Sequence, residues 1–265
     1  MMARPMIALG IAVAIGHSAN ADTAYVKPST FTPALDQTIT VEVAFNDDCC
    51  EPRYPVRTAN YRIIDSAGGT YRPDRVEAFA TTTMLEHAIA TSGTTRITTG
   101  ERLGRKGEYV EIESRYYLVN SPDAQVRDIP EDTPILSSQT ATVSDAYITV
   151  GAPDWGAIRQ SVGRLAIEPT VHPDNAIMGS PYIGRVTFDD EPVANHVVIL
   201  TNEMQRLNGQ DEISIMTDDA GVFTIDFVHP GLHLIMIRMQ APAPDGAETD
   251  IRSYTTSLTL FAKRR

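Results

Sequence analysis

Cysteine is scarce in this chain, and its two cysteines cannot staple distant segments together. Among 265 residues only Cys49 and Cys50 are cysteines, and they are neighbours. Adjacent Cα atoms across a trans peptide lie about 3.8 Å apart, which is shorter than the separation of roughly 4.4 to 6.8 Å that most disulfides span. Stability must therefore come from a hydrophobic core, which a chain of 42% apolar composition can form.

Long hydrophobic runs are also scarce. The one clear apolar stretch, residues 6–15, follows Arg4 and leads to the small-residue motif Ala19-Asn20-Ala21. It has about half of the roughly twenty residues that a transmembrane helix needs. The pattern is typical of a secretory signal peptide. We therefore predict that residues 1–21 are a signal peptide removed after Ala21, that the protein is periplasmic, and that the mature chain has no transmembrane segment.

The sequence lacks the motifs that would indicate an enzyme. It contains no nucleophile elbow, phosphate-binding loop or dinucleotide-binding glycine set, and Glu86-His87 lacks the second histidine of a metalloprotease motif. The formal net charge of −12 argues against nucleic acid or an anionic lipid surface as a partner and favours a cationic or neutral ligand. We predict a protein that is not an enzyme and binds no nucleic acid.

Short strand-like segments make up most of the remaining sequence. Runs of about four to eight residues rich in Val, Ile, Thr, Tyr and Phe recur between Pro, Gly, Asn and Asp clusters, which predicts an all-β fold. About seven such runs follow Gly163, which is the rhythm of an immunoglobulin-like or transthyretin-like sandwich. We predict two β-sandwich-like domains, residues 22–162 and 163–265. Residues 120–142, polar and proline-containing, are expected to form a mobile surface loop.

Several motifs, most of them in the C-terminal half, resemble one bacterial family. They are G-R-V-T-F-D-D-E-P-V-A-N-H-V at 184–197, T-D-D-A-G-V-F at 217–223, Pro230-Gly231 and residues 253–260, together with 24–31 and 168–173. Their order and spacing are similar to those of an uncharacterised family of periplasmic proteins associated with nickel or cobalt uptake. The hairpin and the strand entry are also typical of carboxypeptidase-regulatory-like sandwiches. The resemblance implies a periplasmic protein with a C-terminal β-sandwich and a link to metal transport.

Histidines are the first candidate ligands for such a metal. Nickel and cobalt bind imidazole, thiolate or amine groups that converge on one point. His229 and His233 flank the Pro230-Gly231 turn, and His172 precedes Pro173 in a predicted loop, where we expect it to be exposed. All three are candidate metal ligands. The alternative for His233 is a packed position at the edge of the core, because it shares one strand face with Ile235.

The segment N-D-D-C-C-E at 46–51 supplies the second set of candidates. It places two thiols among three carboxylates. Three interpretations are open: a vicinal disulfide of structural or redox character, a metal site with Cys49 and Cys50 as ligands, and free inert thiols. Because these cysteines and His172 lie in different predicted domains, we expect that they do not form a joint site.

Two functions fit this sequence. The first is a non-catalytic periplasmic protein that binds or presents a ligand as an accessory component of nickel or cobalt uptake. Its cofactor would be a transition-metal ion, and its partners would be a metal ion or metal complex and an envelope transport protein. The second is a periplasmic protein–protein interaction module that docks an outer-membrane receptor or another envelope partner through its sheet edges.

Overall fold

A computed structural model describes residues 23–46, 49–122, 124–126, 129, 131–209 and 212–265. The predicted signal peptide, residues 1–21, lies outside the described residues. No helix in the described ranges is long and apolar enough to cross a membrane.

Strands dominate the described residues, with one short helix, α1 (Glu203–Leu207), and one 3₁₀ turn, Pro173–Asn175. The strands of the N-terminal half are β1 (Thr23–Pro28), β2 (Thr38–Asn46), β3 (Tyr54–Pro55), β4 (Arg62–Ile64), β5 (Thr70–Tyr71), β6 (Arg75–Ala78), β7 (Thr83–Ala88), β8 (Gly93–Thr98), β9 (Arg102–Ile112), β10 (Arg115–Val119) and β11 (Ile135–Val150). Those of the C-terminal half are β12 (Leu165–Pro169), β13 (Pro181–Phe188), β14 (Glu191–Pro192), β15 (Val197–Asn202), β16 (Ile213–Met216), β17 (Val222–Asp226), β18 (Gly231–Pro242) and β19 (Ile251–Ala262).

These strands form three sheets. A five-stranded sheet has the order β1-β2-β7-β6, with β3 added beside β2. A ten-stranded sheet runs β16-β15-β18-β19-β11-β8-β4-β5, and β9 and β10 extend it from β11. A four-stranded sheet contains β12, β13, β14 and β17. The predicted all-β, sandwich-like fold is confirmed.

The ten-stranded sheet is shared by two cores, which lie on its opposite faces. We call them the aliphatic core and the aromatic core. In the aliphatic core, the five-stranded sheet packs on Ala146, Ile148 and Val150 of β11. In the aromatic core, the four-stranded sheet packs on β15, β18 and β19 and on Ala141 and Tyr147 of β11. Because side chains alternate along a strand, the even and odd residues of β11 serve different cores.

Strand β11 corrects one expectation about residues 120–142. The last part of that segment is not a loop, because β11 begins at Ile135 and continues for 16 residues. Its backbone pairs in parallel with β19, from Ser138 opposite Ile251 to Ala146 opposite Thr259, and on the other side with β9 and β8. The polar segment is a strand because partners distant in sequence satisfy its backbone groups on both edges.

The boundary predicted at Gly163 falls in the connector between β11 and β12. The sheet is continuous across this boundary, because β11 from the N-terminal half pairs directly with β19 from the C-terminal half. Whether each half folds independently stays a prediction.

Candidate functional site

The connector between β11 and β12 and the adjacent edge of the four-stranded sheet enclose a cavity of about 460 Å³, which we call the Trp155 cleft. Strand β12 is an edge strand of its sheet, paired with β13 on one side only, so the cleft opens beside an unpaired strand edge. The lining residues are Arg96, Trp155, Ile158, Arg159, Gln160, Ser161, Val162, Ala166, Ile167, Glu168, Pro169, Thr170 and Arg185. A cavity of this volume is within the range of small-molecule sites.

The connector is fixed to β8 at its first turn by Asp154. One carboxylate oxygen of Asp154 accepts the backbone N–H of Thr94 at 2.9 Å, and the other accepts that of Gly156 at 2.9 Å. The backbone N–H of Asp154 in turn donates to Thr94 Oγ1 at 3.2 Å. These bonds hold the backbone beside Trp155 in one place without help from a ligand.

His172 lies behind this turn, and the expectation that it is exposed is wrong. The side chain is buried, with 4% of its surface exposed. Its Nδ1 accepts the backbone N–H of Asp174 at 3.1 Å, which places the proton on Nε2. Nε2 donates to the carbonyl oxygen of Asp154 at 2.8 Å and lies 3.0 Å from Thr94 Oγ1. Both ring nitrogens are therefore engaged, and the ring packs edge-on at 5.2 Å from Trp155.

A buried ion pair lies at the inner end of the cleft. Arg96 on β8 donates to Asp145 on β11 at 2.5 Å, and both side chains are about 95% buried. A second guanidinium nitrogen of Arg96 donates to the carbonyl oxygen of Gln160, which ties the far end of the connector to β8. Burial disfavours the charged guanidinium, but the attraction of Asp145 keeps the pKa of Arg96 above its ordinary value. The pair supplies a fixed, neutralised charge at this end of the cleft.

The more exposed charges of the cleft are Arg159, Arg185 and Glu168. Arg185 on β13 lies directly opposite Glu168 on β12, so both side chains point out of the same sheet face. Glu168 accepts a hydrogen bond from the Thr187 hydroxyl at 3.0 Å, and Arg185 donates through Nε to the carbonyl oxygen of Ala220 at 3.1 Å. Arg159 is exposed on the connector. Within the described ranges neither arginine forms an ion pair with a carboxylate.

His233 is part of the aromatic-core side of β18. It is 1% exposed, packs at 4.6 Å from the ring of Phe227, and donates through Nδ1 to the carbonyl oxygen of Gly231 at 3.0 Å. The pKa of His233 is lowered to about 4, chiefly by burial; the hydrogen bond to Gly231 opposes this shift, and the neighbouring His229 contributes to it. His229 is half-buried beside a second cavity that Arg264 and Arg265 also line. The ring of His233 is thus packed and neutral at pH 7.

Cys49 and Cys50 form a vicinal disulfide. Both are buried and pack with Tyr25, Ala44 and Leu234, beside the half-buried Leu232. Leu234 follows His233 on β18, so the two side chains lie on opposite faces of the ten-stranded sheet. The structure therefore places the cysteine pair and the histidine on different sides of the molecule's central layer.

The five candidate metal ligands are not brought together. No group of three or more His, Cys, Asp or Glu residues in the described part of the chain could hold a metal ion. Their service as ligands stays a prediction. The structure instead shows His172 holding the Trp155 turn in place.

Sequence reasoning missed Arg96, Asp145, Arg159 and Arg185 as features of a site. A partial signal was present, because Arg96 and Asp145 each interrupt a strand of Thr, Val, Ile and Ala residues. A charge inside such a strand requires a partner of opposite sign when it is buried. Arg159 and Arg185 gave no such signal, since isolated arginines are ordinary on surfaces.

A family model matches residues 19–241, and its description is "Domain of unknown function (DUF4198)". The chain belongs to this family. No curated protein matches the chain. Among solved structures, the D0-D1 domain of intimin aligns over 89% of this chain and 97% of that one, with 11% identity and a TM-score of 0.21.

Proposed function

We propose that this member of the DUF4198 family is a non-catalytic ligand-binding protein of the bacterial periplasm, which holds a small molecule in the Trp155 cleft and presents it to an uptake system. The observation that supports the proposal is the cleft itself, a cavity of about 460 Å³ beside an unpaired strand edge. Its walls are held in place by buried bonds from Asp154, His172 and Arg96. A site that is ordered before binding loses less conformational entropy when the ligand arrives.

The nickel or cobalt association belongs to the same proposal in the form of a metal complex. The organic part of such a complex would occupy the cleft, and the metal would keep its own ligands. The alternative in which a bare ion binds Cys49 and Cys50 or His172 makes a different prediction. Calorimetric titration with nickel chloride separates the two, because only direct ligation predicts that the bare ion binds and that Cys49→Ser/Cys50→Ser or His172→Ala removes this binding.

Native mass spectrometry of the full chain, exported and purified from bacterial periplasm, tests the proposal. We expect an N-terminus at Asp22 and a co-purified small molecule or metal complex. Trp155 is the only tryptophan, so its fluorescence reports directly on the cleft. Release of the molecule should change this fluorescence, and adding it back should restore the original signal. A protein that carries nothing and whose Trp155 emission responds to no periplasmic extract would overturn the proposal.

One observation favours the second function, a docking module. Strand β16 is an outer strand of the ten-stranded sheet, and Ile213 and Met216 on it are exposed. Met204 and Leu207 of the neighbouring helix α1 are also exposed. A strand with one unpaired edge and exposed apolar side chains can pair with a strand from a partner protein. Met216→Lys should then abolish complex formation with the envelope partner and leave ligand content unchanged.

A further inference from the structure

We propose that the ligand of the Trp155 cleft is a small organic anion with two acidic groups, carboxylate or phosphate, each bound by one of the arginines Arg159 and Arg185. This inference rests on the proposed function, since it names the class of ligand for the same cleft. An anionic ligand is the opposite of what the net charge of the whole chain, −12, favours, which is a cation.

The charges of the cleft carry the first step. Arg96 is already neutralised by Asp145 at 2.5 Å, so it adds no net charge. Of the remaining charged side chains that line the cleft, Arg159 and Arg185 are positive and only Glu168 is negative. The lining of the cleft therefore carries more positive than negative charge, on a protein that is acidic as a whole. Such a local excess of positive charge attracts an anion even on an acidic protein. Charges farther away than the Debye length, about 8 to 10 Å at ordinary ionic strength, are largely screened by the solvent.

The orientation of Arg185 carries the second step. Its Nε donates to the carbonyl oxygen of Ala220 at 3.1 Å, which fixes the plane of the guanidinium. The two terminal nitrogens have no hydrogen-bond partner among the residues that the structure describes. Two parallel N–H groups on a fixed plane match the two oxygens of a carboxylate or phosphate. Arg185 is thus arranged to bind one oxyanion group in a bidentate manner.

The apolar residues of the cleft carry the third step. Trp155, Ile158, Val162 and Ala166 provide an apolar part of the cleft lining, beside the charged groups. Such a wall gains nothing from a bare inorganic ion but gains from contact with a carbon framework. The side chain of Trp155 is half-buried, with the edge-on His172 ring holding it in position. Together these features select an organic body that carries its charges at two points.

The test is a titration of the full mature chain, monitored by Trp155 fluorescence and calorimetry at constant ionic strength. Glutarate represents the dicarboxylates and 1,3-propanediol bisphosphate the bisphosphates, and the one that binds more tightly identifies the acidic group. Glucose and spermidine serve as neutral and cationic probes. We expect saturable binding of at least one anion. Arg159→Gln and Arg185→Gln should each weaken it about tenfold or more, as the loss of a charge-assisted hydrogen bond implies.

Arg105→Gln is the matched control, because Arg105 is exposed on β9 and its replacement changes the net charge by the same amount. Its affinity should stay within about twofold of the parent, since an exposed charge that does not line the cleft contributes only through screened attraction. Equal weakening by all three variants, or binding unaffected by Arg159→Gln and Arg185→Gln, would overturn the inference. A response to glucose or spermidine but to neither anion would also overturn it while leaving the proposed function standing. If no probe binds, the inference fails, and the co-purification experiment decides the proposed function alone.

Discussion

The two cores on either side of the ten-stranded sheet differ in composition and in what surrounds them. The aliphatic core consists mainly of Val, Ile, Ala and Leu side chains with Tyr61 as its one fully buried aromatic residue. The aromatic core contains Tyr147, Tyr182, Phe223, Phe227 and Tyr254. The Trp155 cleft, His172 and His233 all adjoin the aromatic core. The face of the central sheet that packs in the aliphatic core therefore serves mainly stability, whereas the face that packs in the aromatic core also adjoins the candidate site.

The largest effect is expected from removing β11, the strand that contributes side chains to both cores. The aromatic core includes Ala141 and Tyr147 of β11, and the whole edge of β19 from Ile251 to Thr259 bonds to it. A fragment of residues 163–265 would lose both. We expect this fragment to show no cooperative unfolding transition in urea, because an exposed sheet edge and an open core cannot support a unique packing. A fragment of residues 135–265 should regain a measurable transition.

The same experiment tests the predicted domain boundary at Gly163. Circular dichroism during urea titration measures both fragments against the full chain. If residues 163–265 unfold cooperatively with the same midpoint as residues 135–265, the boundary is right and β11 belongs only to the N-terminal half.

Removing one partner of the buried ion pair should have the next largest effect. Asp145→Asn leaves the charge of Arg96 buried without compensation, and we expect the free energy of unfolding to fall by about 3 to 5 kcal/mol. The double change Arg96→Met/Asp145→Leu should recover much of this loss, since it removes both charges. Glu77→Gln is the control, because the Arg75–Glu77 pair is largely exposed. Its cost should be below about 1 kcal/mol. If Asp145→Asn and Glu77→Gln lowered the free energy of unfolding by similar amounts, the result would contradict a buried Arg96–Asp145 pair.

Much of the β architecture could be predicted from local sequence, because alternation is a local property. The interpretation that His233 shares one strand face with Ile235 is confirmed, because Leu234 between them packs with the cysteine pair on the opposite face while Ile235 belongs to the aromatic core. Similarly, residues 38–45 alternate as a strand should, and β2 spans Thr38–Asn46. On β2 the period of two reflects burial of one face at Ile39, Val41 and Val43, whereas on β18 both faces are buried because the strand lies between the two cores.

What could not be predicted depends on partners that are distant in sequence. Ser137, Ser138 and Gln139 suggest a loop, yet they belong to a strand because β9 and β19 pair with it. His172 suggests an exposed position before a proline, yet it is buried because Thr94, 78 residues away, contacts its ring. The cleft has the same origin, since its arginines come from β8, the connector and β13. No pattern within a short window encodes such meetings.

A pH titration of stability tests the buried His233 on the side of the aromatic core. The pKa of His233 is lowered to about 4 by burial, against 6.5 for a free histidine. The unfolded state therefore binds a proton that the folded state excludes, so stability is complete above pH 6.5 and falls as the pH drops toward 4. We expect a loss of about 3 kcal/mol across this window, at about 1.4 kcal/mol for each pKa unit. Chemical unfolding at pH 7, 6, 5 and 4 measures it.

His233→Gln is the informative variant, because it retains a hydrogen-bond donor and does not titrate. Its free energy of unfolding should be nearly flat between pH 6.5 and 4.5. Carboxylates with lowered pKa values, such as Asp189 bonded to Arg164, lose their contribution only below their own ordinary values and act at lower pH. An unchanged slope in the variant would show that another group produces the acid sensitivity.

The smallest effect is expected on the opposite side, from reducing the Cys49–Cys50 disulfide. A cross-link stabilises a protein chiefly by restricting the unfolded chain, and a link between adjacent residues restricts it very little. Reduction should therefore lower the free energy of unfolding by less than about 1 kcal/mol.

The two cysteine side chains themselves pack against Tyr25, Ala44 and Leu234. The double variant Cys49→Ser/Cys50→Ser should therefore lower the free energy of unfolding by more, about 2 kcal/mol or above, because it buries hydroxyl groups among apolar atoms. Urea unfolding with and without a phosphine reductant, on the parent and on the double variant, separates bond from packing. If reduction costs as much as the double substitution, the covalent ring, rather than the apolar contacts of the two sulfurs, holds this edge of the five-stranded sheet against β18.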